Sequence, residues 1–310
     1  MRIRLAWLLV MAAVVGVLQP STHAWRQRGT AAAPPPMTPA DLQSLPVRPA
    51  DHRLAYGDDP NQFGELRLPS GTGPHPVAVL IHGGCWKADY ATLRDLGPMG
   101  DALKSEGIAT WNIEYRRLGQ PGSGWPGTYV DVGRGIDHLR QLAPRYGLDL
   151  ARVAVVGHSA GGHLAMWAAT RHRLSSKSSV YLANPLPLRG VVNLAGTIDM
   201  RANISHMEAE CHDAVVTTML GGTPAQMPER YREVSATTMV PLGVQQILVW
   251  GTREPFVPMA LARRHVDAAT KAGDRARLIV VPAVGHFELA SPQSSAWRTV
   301  LDAVRSLVAD

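Results

Sequence analysis

The residues around Ser159 form the pattern expected of a nucleophilic serine. An apolar run at residues 153–156 leads into the motif Gly-His-Ser-Ala-Gly, and a helical pattern follows directly over residues 161–173. Small residues on both sides of a serine allow a sharp turn from strand to helix that lifts the hydroxyl above the sheet. The N–H of Ala160 would then begin the helix and face a developing oxyanion. We therefore predict Ser159 as nucleophile and Ala160 as an oxyanion-hole donor.

A second glycine-rich segment, His-Gly-Gly-Cys-Trp at residues 82–86, follows the apolar run 77–81. Glycine at this point lets backbone N–H groups approach a tetrahedral oxyanion closely. We predict that Gly83, Gly84 and Cys85 supply the other half of the oxyanion hole. His82 is expected to hold the loop and not to act as an acid or base.

A third segment offers a general base. His286 follows the apolar run 278–281, and a loop at the end of a neighbouring strand can bring an imidazole to the serine oxygen. The chain order serine, acid, histidine favours His286 among the 12 histidines. The acid that orients the imidazole is predicted to be Glu254, in the loop after the apolar run 246–250. Asp199, after the run 190–194, is the alternative acid.

The elements that must position these residues alternate regularly. Short apolar runs are typical of central strands in a parallel sheet, and the segments between them have helical periodicity. We predict an α/β fold: a doubly wound, mostly parallel β-sheet flanked by helices, with an antiparallel edge strand at 63–68. The predicted strands are residues 77–81, 108–115, 153–156, 190–194, 246–250 and 278–281, and the predicted helices are residues 90–106, 129–146, 161–173, 259–272 and 291–308.

Two segments interrupt this alternation. Residues 119–127 hold four glycines and are predicted to form a loop. Residues 199–242, between the predicted strands 190–194 and 246–250, are predicted to form a small lid over the sheet edge where α/β proteins bind ligands. Candidate substrate-binding residues are Trp86, Trp125 and His158; packing in the core is the alternative role for the two tryptophans.

The three motifs together resemble the esterase/lipase branch of the α/β-hydrolase superfamily. The resemblance spans residue 63 to the C-terminus and is closest to kynurenine formamidase-like and carboxylesterase-like enzymes. It implies a Ser-His-acid triad and no metal or organic cofactor. In these families the acid is usually an aspartate, so Glu254 departs from the pattern. At the position of Cys85 these families often carry tyrosine or phenylalanine. The cysteine in its place suggests a disulfide that fixes the oxyanion loop.

The N-terminus resembles a secretory signal peptide. Arg2 and Arg4 precede an apolar stretch at residues 5–18, and a small-x-small site ends at Ala24. We predict a signal peptide at residues 1–24, export to the periplasm or medium, and no stable membrane insertion after cleavage; an uncleaved anchor is the alternative. Residues 25–50 are rich in alanine and proline and are predicted to be a linker before the domain at 51–310.

The two cysteines, Cys85 and Cys211, permit one disulfide in an exported protein, and two buried thiols are the alternative. The net charge is +6, but the basic residues are dispersed, so we expect no nucleic-acid partner.

We predict a serine hydrolase that cleaves a small-molecule carboxylic ester through an acyl-enzyme. An amide-bond hydrolase, of arylformamidase or aminopeptidase type, is the alternative reaction. A non-catalytic α/β-hydrolase-fold binding protein is the alternative from another class, because fold alone does not determine function.

Overall fold

The computed structural model describes residues 35–309; the predicted signal peptide and the first part of the predicted linker lie outside the described residues. The strands are β1 (His52–Ala55), β2 (Phe63–Arg67), β3 (His75–Ile81), β4 (Ala109–Ile113), β5 (Leu148–His158), β6 (Gly190–Leu194), β7 (Gln245–Gly251) and β8 (Ala276–Val281). The α-helices are α1 (Pro39–Ser44), α2 (Gly97–Ser105), α3 (Gly127–Asp137), α4 (Leu139–Tyr146), α5 (Ala160–Thr170), α6 (Ile204–Cys211), α7 (Val215–Leu220), α8 (Pro228–Val234), α9 (Met259–Lys271) and α10 (Trp297–Val308).

All eight strands form one sheet in the order β1-β2-β4-β3-β5-β6-β7-β8. The β1–β2 and β2–β4 pairs are antiparallel, and the other five pairs are parallel. Every residue from Val153 to His158 in β5 is buried. Because successive strand residues point to opposite faces, both faces of the sheet are covered at this strand. The predicted mostly parallel α/β sheet is confirmed.

The strand order reverses beside β3, and this reversal determines where the site lies. The chain passes from β3 outward to β4 and then returns to β5 on the other side of β3. Loops that leave two such adjacent strands diverge and open a crevice at their carboxyl ends. The glycine-rich loop follows β3 and Ser159 follows β5, with Ile81 paired to Gly157. The two strongest sequence motifs therefore meet at the switch point.

Three predicted helices differ from the observed ones. The predicted helix 291–308 begins only at Trp297, as α10. The predicted helix 129–146 is divided at His138 into α3 and α4, because the Gly135 carbonyl accepts a hydrogen bond from Trp111 Nε1 at 2.8 Å instead of continuing the helix. The predicted helix 90–106 begins only at Gly97. Before it, residues 93–96 form a 3₁₀ turn whose Leu93 N–H is bonded to Glu114.

The structure also differs from the predicted linker at residues 35–50. This segment contains α1 and packs against the domain, with Leu42 and Leu45 buried in the core. Apolar periodicity did not indicate this helix, because six residues are too few to show it, and the burial of the helix depends on a surface formed by distant residues.

The segment between β6 and β7, which we predicted as a lid, consists of α6, α7, α8 and a 3₁₀ turn at Ala236–Thr238. Its buried residues join the main core, among them Met207, Met219 and Tyr231. Whether it moves as a lid stays a prediction. Among the described residues, no helix has both the length and the apolar character needed to cross a membrane.

Candidate active site

Ser159 lies at the sharp turn between β5 and α5, with φ 55° and ψ −122°. Its N–H donates to the Leu194 carbonyl of the neighbouring strand at 3.0 Å. The flanking glycines are required by close backbone contacts: a Cβ at Gly157 would lie 2.1 Å from the Gly161 oxygen, and one at Gly161 would lie 2.0 Å from the Ile81 oxygen. The strained turn thus depends on small neighbours, and it raises the serine above the sheet edge.

The loop after β3 lies directly against Ser159. A Cβ at Gly83 would be 2.9 Å from the Ser159 Cβ, so only glycine permits this approach. Gly84, Cys85 and Trp86 then follow with φ of 97°, 53° and 55°. Left-handed conformations cost about 1–2 kcal/mol for residues other than glycine, so Cys85 and Trp86 must be held by their surroundings.

Two contacts hold Cys85 and Trp86 in the left-handed conformation. Trp86 is fully buried and its ring meets His163 edge-on, with 5.4 Å between centroids. Cys85 is joined to Cys211, the last residue of α6, by a disulfide with a Cα–Cα distance of 6.0 Å. The loop is thereby tied both to the core and to the segment between β6 and β7.

The start of the loop is held by buried polar groups. His82 Nε2 lies 2.8 Å from Glu114 Oε1, and the Tyr115 hydroxyl donates to the His82 carbonyl at 2.8 Å. Arg117 forms an ion pair with Glu114 at 3.2 Å. Burial alone would raise the pKa of Glu114, but His82 and Arg117 outweigh it and the pKa is lowered. Glu114 is therefore an anion that fixes the base of the loop, as expected for a structural role of His82.

His286 and Glu254 form a close pair at the ends of β8 and β7. His286 Nδ1 lies 2.7 Å from Glu254 Oε2, and both side chains are almost fully buried. Two backbone bonds between the loops bring them together: the Thr252 N–H donates to Val281 at 3.0 Å, and the Arg253 N–H donates to Val284 at 2.9 Å. Because β7 and β8 are parallel neighbours, their following loops emerge side by side.

Asp199, the alternative acid, is engaged elsewhere. Its Oδ1 accepts the Ala202 N–H at 3.0 Å and its carbonyl accepts the Asn203 N–H at 3.1 Å. These bonds close the turn after β6. The structure therefore brings Glu254, and not Asp199, to the imidazole of His286.

His158 packs against His286 and contacts its backbone carbonyl. Its Nε2 lies 3.1 Å from the His286 carbonyl, and the two ring centroids are 4.5 Å apart. Burial, assisted by the adjacent His286, lowers the pKa of His158 well below its ordinary value. The neutral ring donates to the carbonyl and positions the loop that carries His286, in addition to lining the pocket.

A pocket open to solvent lies above Ser159, and the empty space in it and at its mouth amounts to about 610 Å³, open solvent included. Its polar floor contains Ser159, His286, Gly83, Gly84 and Cys85. Apolar side chains from several distant segments form the walls: Pro39, Leu42, Ala91, Leu96, Met207, Phe256 and Phe287. Two carboxylates, Asp95 and Glu210, also reach the lining, together with Gln43, Tyr90, His158 and Cys211.

The tryptophans that we named as candidate substrate-binding residues lie outside this pocket. Trp86 is buried in the core beneath the loop. Trp125 packs on Tyr129, at 5.7 Å between centroids, and lies under the Arg230 guanidinium. Both tryptophans thus pack on other side chains, as in the alternative role, and a contact with substrate stays a prediction.

Several residues of the site were not predicted from the sequence. Phe256 and Phe287 lie with ring centroids 4.6 and 5.0 Å from that of His286. Each is close in sequence to a predicted triad residue, so this proximity could have predicted both phenylalanines as site residues. Glu114 and the α1 residues gave no such signal, because only the tertiary structure brings them to the site.

The comparison with family models decides the affiliation: residues 65–266 match the model described as BD-FAE. The chain belongs to the BD-FAE family. The matched region contains Ser159, the glycine-rich loop and Glu254, and it ends before His286. The resemblance to the esterase/lipase branch of the α/β-hydrolases is confirmed.

Relatives of this BD-FAE protein include named esterases. Esterase LipC of Mycobacterium tuberculosis is 27% identical over 278 residues, which are 88% of this chain and 66% of LipC. A probable isoprenylcysteine alpha-carbonyl methylesterase of Oryza sativa subsp. japonica is 23% identical over 246 residues, covering 76% of this chain and 58% of the relative. The chain thus spans less than two thirds of the length of these relatives.

Solved structures share the fold. A truncated carbohydrate esterase from gut microbiota superposes with a TM-score of 0.71 at 22% identity, covering 84% of this chain and 99% of the other. At this identity the likeness concerns architecture, and substrate must be argued from the site itself.

Proposed function

We propose that this protein is a serine carboxylesterase that uses Ser159, His286 and Glu254 as its catalytic triad. The observation that carries the proposal is the meeting of three groups at one pocket: the strained serine turn, the glycine-rich loop and the His286–Glu254 pair. The named esterases among the relatives support ester hydrolysis as the reaction.

In the acylation step the Ser159 Oγ attacks the ester carbonyl carbon, and its proton passes to Nε2 of His286. The carbonyl π electrons move to oxygen and form the tetrahedral oxyanion. Glu254 accepts the Nδ1–H bond, which fixes the tautomer and stabilises the imidazolium. The imidazolium then protonates the leaving alcohol as the C–O bond breaks, which leaves an acyl-Ser159 ester.

The oxyanion needs fixed donors. The N–H of Ala160 begins α5 and has no partner within the helix, as is general for the first helical residues. The N–H groups of Gly84 or Cys85 form the second side. Removal of one such donor typically costs about 3–4 kcal/mol of transition-state stabilisation. Water, activated by His286, then attacks the acyl-enzyme and releases the acid.

A fluorophosphonate probe tests the proposal directly, because it phosphonylates only an activated serine. The wild type and the Ser159→Ala variant would be treated with the probe and analysed by intact mass. We expect one adduct on the wild type and none on the variant. Ser178, a half-buried hydroxyl that donates to Glu233, supplies a matched control: Ser178→Ala should still be labelled. An unlabelled wild type, or an equally labelled Ser159→Ala, would refute the assignment.

The reaction class requires a matched substrate pair. Phenyl butyrate and butyranilide differ mainly in the bond that is cleaved, and formanilide tests the formamidase alternative. We expect kcat/KM for the ester to exceed that for either amide by several orders of magnitude. Preferential cleavage of the amides would reassign the enzyme to the alternative reaction. Ligand binding without turnover would instead support the binding-protein alternative.

We also propose that the protein is exported. The basic and apolar pattern of residues 1–24 supports this, and so does the disulfide, since such bonds persist in oxidising compartments. Cell fractionation and N-terminal sequencing test it. A mature chain that begins near residue 25 is expected, and an intact N-terminus in the membrane fraction would identify the uncleaved anchor.

A further inference from the structure

Residues 35–45, here called the N-terminal strap, form one wall of the pocket above Ser159. We propose that the strap determines substrate specificity and that Leu42 limits the length of the apolar chain that an ester substrate places in the pocket. This inference rests on the proposed esterase function and names the group that the pocket selects.

The strap is fixed at both sides of the pocket. On the side of the catalytic histidine, the Met37 N–H donates to Glu288 Oε1 at 2.9 Å. Glu288 follows His286 by two residues in the same loop. On the side of the oxyanion loop, Gln43 Nε2 donates to the Tyr90 carbonyl at 3.1 Å, and Arg94 donates to the carbonyls of Gln43 and Leu45. The strap therefore spans from the loop that carries His286 to the segment that directly follows the glycine-rich loop.

The strap has an ordered local structure. Thr38 caps α1 through its side chain, which accepts the Asp41 N–H, and the Asp41 carboxylate accepts the Thr38 N–H at 2.8 Å. This reciprocal capping box offsets part of the cost of ordering so short a helix. Pro39, at the start of α1, is preset for helical φ. A wall that is held in this way can discriminate between chain lengths.

Two strap residues differ in what they face. Leu42 and Leu45 are both buried, at 3% and 8% exposure. Leu42 belongs to the pocket lining, with Pro39 from the same helix and with Leu96, Met207, Phe256 and Phe287 from other segments. Leu45 is not part of the lining. Substitutions of Leu42 and of Leu45 therefore distinguish the effect of pocket shape from the effect of strap packing.

The chemistry of the wall identifies the group it accommodates. The aliphatic and aromatic side chains around Leu42 favour an alkyl chain, since burial of apolar surface supplies the binding free energy. A misfit of one methylene group in an apolar pocket changes kcat/KM by about 10-fold or more. Replacement of Leu42 by alanine removes three carbons from the wall and makes space for a longer chain.

Two ester series distinguish the acyl from the alcohol side. One holds the leaving group constant, with p-nitrophenyl acetate, butyrate, hexanoate and octanoate. The other holds the acyl group constant, with ethyl to octyl acetates followed by acid release. For Leu42→Ala we expect the kcat/KM ratio of long to short chains to rise by about 10-fold in one series. Leu42→Val should give a smaller shift in the same direction, and Leu42→Phe the opposite shift.

Leu45→Ala is the control. It should change kcat/KM for all chain lengths by a common factor, because it alters strap packing and not the lining. Equal profiles for Leu42→Ala, Leu42→Val and the wild type, or the same profile change in Leu45→Ala, would overturn the inference. Fluorophosphonate labelling distinguishes failure of this inference from failure of the proposed function. If the wild type is labelled and cleaves esters but the variants keep its chain-length profile, only the role of Leu42 is refuted.

Discussion

The carboxylate of Glu254 divides its two oxygens between His286 and the backbone. Oε2 lies 2.7 Å from Nδ1 of His286, while Oε1 accepts the N–H groups of Phe256 and Val257 at 2.8 and 3.0 Å. Both oxygens are thus acceptors, and the two backbone donors fix the side chain before any substrate binds. The turn after β7 thus holds the glutamate side chain where the proposed mechanism needs its acid.

Replacement of Glu254 by glutamine should impair catalysis strongly. If the amide oxygen keeps the backbone bonds, its NH₂ group faces Nδ1 of His286 and selects the tautomer with hydrogen on Nε2, which cannot accept the serine proton. We expect kcat to fall by up to about 10⁴-fold with little change in stability. Steady-state ester hydrolysis measures this. Asp199→Asn is the matched control and should retain near wild-type kcat; the reverse result would assign the acid to Asp199.

Loss of the Cys85–Cys211 disulfide should weaken both stability and catalysis. The bond joins residues 126 apart in sequence and holds the oxyanion loop at Cys85. We expect the Cys85→Ser/Cys211→Ser double variant to lose about 2–5 kcal/mol of unfolding free energy. Its kcat should fall by about 10- to 100-fold, because misplaced oxyanion donors affect the transition state more than substrate binding.

Reductant gives an independent test of the same bond. The protein has only two cysteines, so any effect of dithiothreitol on the wild type must arise from this disulfide. The double variant should be insensitive to reductant. An unchanged kcat in both the reduced wild type and the double variant would show that the loop holds its shape without the bond.

Glu114 should be important for the folded loop although it does not touch the pocket. Glu114→Gln leaves His82 and Arg117 without their buried anionic partner, and we expect about 3 kcal/mol lower unfolding free energy in urea titrations at pH 7. The pKa of Glu114 is lowered from 4.5, so its charge stabilises the fold above that value and is lost as the pH falls through the lowered pKa. The difference between wild type and variant should therefore shrink below about pH 4.5; a constant difference would contradict this account.

The protein should lose stability as the pH falls below about 6.5, before the carboxylates titrate. Burial lowers the pKa of His163 to about 3 and that of His265 to about 4, and it also lowers the pKa of His158. Between these values and the ordinary value, the unfolded chain binds more protons than the folded one. Each histidine then contributes a loss that begins near pH 6.5 and approaches about 1.4 kcal/mol per pH unit at least one unit below it.

Urea titrations at pH 7.5, 6.5 and 5.5 measure this slope. His163→Gln provides the comparison, since glutamine can still donate to the Val234 carbonyl that His163 Nε2 contacts at 3.1 Å. Between pH 6.5 and 5.5 the variant should lose about 1 kcal/mol less unfolding free energy than the wild type. Equal slopes in the two proteins would show that His163 is protonated in the folded state.

Much of the fold was predictable because its signals are local. All six strands predicted from apolar runs coincide with observed strands, and so does the edge strand predicted at 63–68, because continuous apolar runs suit a sheet covered on both faces. Helix boundaries were less accurate. The break at His138 depends on a bond from Trp111 to the Gly135 carbonyl, and a contact between residues so distant in sequence leaves no periodic signal.

The choice between Glu254 and Asp199 as the acid could not be made from the sequence. Glu254 and Asp199 each follow a parallel strand and open on the same edge, so strand order and spacing do not separate them. The bonds from the loop after β7 to Val281 and Val284 bring Glu254 to His286, while Asp199 closes its own turn. Only the tertiary structure made this distinction.

The sequence by itself determined the nucleophilic turn at Ser159, the glycine-rich loop after β3 and the parallel sheet. In each case the physical requirement is local: a residue without a bulky side chain at a strained turn, or an apolar run buried on both faces. The tertiary structure decided the walls of the pocket. Trp86 turned into the core, and residues 35–45 came to face Ser159, because side-chain direction and burial depend on which distant surfaces meet when the chain folds.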